Sequence, residues 1–153
     1  RFISDLLAKE VGSFIKAPHW LKRMRIANRQ FTNFVVKDGV NDATRAHADQ
    51  TYLNALDAMS AMLADRPFLL GDAPSIADFG MMGPMFRHFG QDPTPADIMR
   101  NHAPIVFEWV ARMWRAKQVS DPGFTTTVPE DAGAMLRECC ETHLVQLAAN
   151  ARA

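Results

Sequence analysis

The sequence predicts an all-α fold, a helical bundle of about six helices around a central buried helix. Three observations carry this expectation. Apolar residues recur at helical spacing in the segments between Pro- and Gly-marked breaks. No alternating strand pattern of useful length occurs, apart from the short "FTTTV". One segment, starting at Ser75, is apolar on nearly every face, which suits the middle of a bundle.

In order along the chain, Ile3, Leu7, Val11 and Phe14 mark a first helix over residues 1–16, ended by Ala17-Pro18. Trp20, Met24, Phe31, Phe34 and Val35 mark a second, closed by Asp38-Gly39. Asn41 can cap a third helix, which runs to about Asp65 with Tyr52, Leu56, Met59 and Leu63 on one stripe; Arg66-Pro67 stops it. The fourth starts at Ser75. The Pro-rich "GQDPTP" then reads as a loop, and residues 95–101 as a short helical turn. Val106, Trp109, Val110 and Met113 mark a fifth helix over 103–117, with Pro104 in its first turn. After the break "SDPGFTTTV", a last helix starts near Pro129, with Leu136, Cys140, His143 and Leu147 on its stripe. These elements form one domain over 1–153: a core bundle over 1–117, then a loop and C-terminal helical extension over 118–153.

The start of the fourth helix is the most specific local signal. In "FLLGDAPSIADFG" the Ser75 hydroxyl can accept the backbone N–H of Asp78, and the Asp78 carboxylate can reach back to the N–H of Ser75. Gly71 supplies a permissive turn and Pro74 blocks helix upstream. Such a capping box contributes about 1 kcal/mol. Ile76, Ala77, Phe79, Met81, Met82, Met85, Phe86 and Phe89 follow; Gly80 and Gly83 suggest close backbone approach, and Pro84 a bend. Methionines in such a cluster fill an irregular core or form the deformable wall of an apolar pocket.

Composition excludes several classes. With 153 residues, 48% hydrophobic and 22% charged, the chain suits one folded domain. Seventeen basic residues balance seventeen acidic ones, so no global charge favours nucleic acid or a membrane surface. No apolar run approaches a membrane span and no secretory leader is recognisable, which makes a cytoplasmic location the expectation. Two adjacent cysteines cannot build a disulfide framework. The chain opens on Arg1, directly inside an apolar-periodic segment, and reads as a fragment of a longer protein.

Three constellations invite chemistry. Lys16, His19, Lys22, Arg23, Arg25 and Arg29 form a basic stretch that could draw an anionic substrate into a cleft, although Trp20, Met24 and Ile26 already explain it as an amphipathic helix with a solvated face. Cys139 and His143 sit one helical turn apart, but two ligands do not make a metal site and no second pair completes a tetrahedral set. His88 and His102 flank the Pro-rich loop, where histidines are ordinarily solvated. No catalytic residue is assigned.

The order of a long helix before "RPFLLGDAPSIADF", an apolar helix and then "APIVFEWVARMW" resembles the C-terminal helical domain of glutathione S-transferases, over residues 43–117. In that superfamily the Gly-x-x-x-Ser-x-Ala-Asp stretch, here Gly71, Ser75, Ala77 and Asp78, is a folding element rather than a catalytic one. The resemblance implies a missing N-terminal thioredoxin-like domain that binds glutathione, the co-substrate, and supplies the group activating its thiol. It leaves this chain one wall of the pocket for a small apolar electrophile, expected at Trp20, Arg23, Met82 and Phe86, and a share of a homodimer interface. The fragment alone is then expected to be inactive. A second reading from another class is a non-catalytic protein–protein interaction module of transferase-like fold. A concave apolar cleft favours the first reading and a flat patch the second.

Overall fold

The computed structural model describes residues 2–152, without the side chains of residues 2, 11 and 12; Arg1 and the Val11 side chain of the expected first stripe lie outside the described residues. The described elements are helices and turns, with two isolated bridges, Phe68 to Gly71 and Gly71 to Phe124. The chain is all-α. It divides into two compact units, Arg1–Tyr52 and Leu53–Ala153. The division falls inside the third helix.

The first unit holds α1 (Phe2–Glu10), a 3-10 turn (Val11–Phe14), α2 (His19–Gln30) and a π-helical turn (Phe31–Val35). Asp5 ties α1 to α2 by accepting from His19 at 2.8 Å, and it pairs with Lys9 at 3.1 Å. The hydrogen bonds from His19, foremost, and from Lys9 hold its carboxyl below the ordinary aspartate range. Ser4 and Ala8 are buried. The apolar residues that mark the second helix are not: Trp20, Met24, Phe31 and Phe34 are all exposed. Gly39 ends the helical run with a φ of +83°, and Val40 donates back to the Val35 carbonyl at 3.0 Å, a C-terminal closure that favours glycine. Asn41 then closes the turn that leads into the next helix, its side chain accepting from the N–H groups of Ala43 and Thr44 at 2.9 and 3.3 Å. This helix, α3, spans Arg45–Leu63 and crosses the division.

The second unit is built on the C-terminal half of α3, which buries Leu56, Ala58, Met59, Met62 and Leu63. It continues with α4 (Ile76–Pro84), a π-helical turn (Met85–Phe89), α5 (Pro93–His102) and α6 (Pro104–Trp114). The short helical turn expected over 95–101 is a full helix, α5, that already begins at Pro93 inside the expected loop. Its prolines sit in the first turn, where a missing N–H costs nothing because no intrahelical partner exists there. In α6 the buried residues are Val106, Trp109, Val110 and Met113, the set the spacing predicts. The chain ends with a 3-10 turn (Glu130–Ala132), α7 (Gly133–Glu138), a π-helical turn (Cys139–His143) and α8 (Leu144–Asn150).

Two packing expectations are corrected. The helix from Ser75 is not enclosed on every side: its buried residue is Asp78, while Ile76 is 90% and Phe79 65% exposed. The enclosed centre lies instead at Leu56, Met59, Met99, Val106 and Trp109. Apolar composition on every face permits burial, but only neighbouring elements supply it. Likewise the stripe of the last helix stays at the surface, with Leu136, Leu147, Cys140 and His143 all exposed. Pro84, where a bend was expected, is the last residue of α4, and a π-helical turn follows it.

A long-range crossing organises the second unit. Gly123 accepts from the Asp72 N–H at 3.0 Å, and Thr125 donates to the Leu70 carbonyl at 2.9 Å. Gly71 passes between them with a φ of +148°, and a Cβ on it would overlap the Gly123 carbonyl oxygen. Only glycine fits there on both counts. Beyond the crossing, Arg66 grips Asp131 with two parallel bonds of 2.8 and 2.5 Å and donates its Nε to the Leu69 carbonyl at 2.7 Å. Residues 123–131 are thereby pinned at both ends onto the turn that precedes α4.

Candidate functional site

Asp78 is the most enclosed polar side chain of the unit, with no accessible surface. One carboxylate oxygen accepts from the Ser75 N–H at 2.9 Å and the Ser75 hydroxyl at 2.6 Å. The other accepts from the Leu69 N–H and the Trp109 indole N–H, each at 2.9 Å. A buried carboxylate with its oxygens satisfied in this way is a structural junction joining the turn, α4 and α6. Trp109 was legible as core; its bond to Asp78 was not, because sequence spacing carries no information about contacts between elements. Arg112 adds a further tie, donating to the Pro67 carbonyl at 2.6 Å.

This junction holds α4 against a cavity of about 590 Å³. One wall is the i, i+3, i+4 face Ala77, Gly80 and Met81; a second is Met62 with Leu69 and Leu70. The pinned segment contributes Thr125 to Pro129, and the start of the C-terminal helices closes the far side with Ala132, Met135, Leu136 and Cys139. No lining residue carries a charge. The threonine hydroxyls are the polar exception among the lining side chains, together with the weak donor of the Cys139 thiol. Its size and lining are those of a site for a small apolar molecule.

The residues expected to bind substrate divide between the units. Trp20 and Arg23 belong to the first, where Trp20 is exposed and Arg23 half-buried. Met82 and Phe86 belong to the second and are half-buried; neither lines the cavity. Phe86 stacks on Trp114 with ring centroids 4.7 Å apart. Met81 lines the cavity where Met82 does not, because one residue turns a helix by roughly 100°. Spacing from Asp78 does not separate them, because Met81 and Met82 follow it by three and four positions and both fall on its side of α4.

The other constellations are surface features. His102 pairs with Asp57 at 2.7 Å, tying α5 to α3, and His88 is exposed. Cys139 and Cys140 are exposed free thiols. Among the described residues no group of three His, Cys, Asp or Glu side chains could hold a metal ion, and no helix is long and apolar enough to cross a membrane.

Residues 42–112 match the family model described as glutathione S-transferase, C-terminal domain. The matched segment takes in α3, the turn with Gly71 and the Asp78 junction, α4, α5 and most of α6. No curated protein and no solved structure matches the chain.

Proposed function

With residues 42–112 a glutathione S-transferase C-terminal-like domain, we propose that the chain is the electrophile-binding helical domain of a glutathione S-transferase-like protein. Glutathione is the co-substrate in this reading, and a thioredoxin-like domain binds it and activates its thiol. The helical domain selects the second substrate, a small apolar electrophile. The observation that supports this assignment is the concave, uncharged cavity beside α4. The reading keeps the electrophile on the helix that starts at Ser75 and moves it from the Met82 face to the Ala77, Gly80 and Met81 face. Trp20, Arg23 and Phe86, which do not line this cavity, remain proposed as substrate-binding residues.

The chain alone is expected to conjugate no glutathione, because the thiol-activating residue belongs to the other domain. The test compares glutathione retention and turnover of an aryl halide by the parent gene product and by the 153-residue chain. Activity confined to the parent supports the proposal; turnover by the chain alone, or inactivity of both, overturns it. Inactivity of both would favour the interaction-module reading, for which the exposed Ile76 and Phe79 side chains are the supporting observation.

A further inference from the structure

We propose that residues 123–131 act as a clamp over the cavity, with the Arg66–Asp131 fork as the latch that sets how long a bound, uncharged molecule stays. The inference rests on reading this cavity as the ligand site.

The argument starts from where the strap is held. At one end it is fixed by backbone bonds at Gly123 and Thr125, in a crossing that tolerates no side chain at Gly71. At the other end the side-chain fork of Arg66 and Asp131 holds it, next to the buried Ala132. Between these points Thr125 to Pro129 line the cavity while Thr126, Thr127 and Val128 remain exposed, so this stretch forms an outer wall of the cavity and not part of the core. The first end is a hinge, since moving it breaks backbone pairing. The second is a latch, because the charge-assisted fork can open while the backbone on either side stays intact. The same turn that carries Arg66 also carries Leu69 and Leu70 of the opposite wall, so the latch joins the two sides of the cavity directly.

The lining also selects what the clamp holds. A charged molecule would leave water for a surface of methionine, leucine, alanine and threonine with no counter-ion, a cost that an uncharged one avoids. Met62, Met81 and Met135 let the walls adapt to its outline.

The test uses the purified chain with phenylnaphthylamine, a neutral fluorophore, and anilinonaphthalene sulfonate, which carries similar rings plus a negative charge. The neutral probe is expected to bind at least about tenfold more tightly. Gly80→Leu should abolish its binding by filling the cavity: a Cβ at Gly80 meets no atom within 4 Å, so the fold accommodates it. Gly83→Leu, on the same helix and off the lining, should leave binding intact. Asp131→Asn should speed probe dissociation by roughly three- to tenfold, measured by stopped flow at a temperature where the protein is fully folded, with association little changed. Arg66→Lys, which keeps the charge and loses the fork, should fall between. A merely structural fork would lower the melting temperature and leave the dissociation rate alone, which overturns the proposal. So does probe binding that survives Gly80→Leu, or a sulfonate that binds as tightly as the neutral probe. The assay contains neither glutathione nor an electrophile. A clamp confirmed beside an inactive parent protein therefore removes the electrophile reading alone, and an active parent whose dissociation rates ignore the latch removes the clamp alone.

Discussion

In the second unit Trp109, Val106, Met99 and Leu56 are fully enclosed, whereas in the first Trp20, Met24, Phe31 and Phe34 are about half exposed or more, although both sets recur at helical spacing. The difference lies in what surrounds each stripe. Around Trp109 the elements are joined by polar ties that close long loops: Asp78 to Leu69 and Trp109, Arg66 to Asp131, Arg112 to Pro67. In the first unit α1 and α2 share the exposed His19–Asp5 pair. Helical spacing of apolar residues creates a sticky face; a second element must be held against that face before it becomes core.

The largest test of this contrast is Trp109→Ala. It removes the largest buried side chain and one donor to Asp78, and should lower stability by about 3–5 kcal/mol in denaturant titration. Asp78→Ala comes next. The capping box alone would give about 1–2 kcal/mol, but the Leu69 and Trp109 N–H groups also lose their acceptor, so about 2–4 kcal/mol is expected. A loss confined to the capping value would show that the junction relaxes around a water molecule.

Acid should separate the units less sharply. The Arg66 guanidinium holds Asp131 below the ordinary aspartate value of 3.8. A carboxylate whose folded value is depressed adds stability above its unfolded value, and that contribution is lost as pH falls from about 3.8 through the folded value. Thermal melts should therefore fall more steeply with acid in the parent chain than in Asp131→Asn; equal slopes would remove the ion pair from the account. The smallest effect belongs to Trp20→Ala, expected to change stability by less than about 0.5 kcal/mol in the same titration. A loss rivalling that of Trp109→Ala would mean that Trp20 is covered in solution, and the contrast between the units would fail.

Much of the helical framework was legible in residue order. The turn closed by Asn41, the start at Ser75, the stop at Gly39 and the buried set of α6 follow from interactions within about one turn of helix, where a side chain and the backbone group it satisfies are neighbours in sequence. The α5 helix was under-read because prolines signal a break in the middle of a helix and a beginning in its first turn, and position decides between the two.

The candidate site was less legible. Of the residues expected to bind substrate, Met82 lies on the helix that borders the cavity but none of the four lines it, and the strap at 125–129 read only as a break in the pattern. The sequence by itself determined that the chain is helical and where its best-capped helix begins, since those outcomes rest on local hydrogen bonds. Only the tertiary structure decided which stripes are covered, that Gly71 is the point where two backbones cross, and that Arg66 meets Asp131 across 65 positions to border an uncharged cavity. These depend on contacts between segments far apart in the chain, whose pairing follows from the packing of the whole unit and is written in no single stretch of residues.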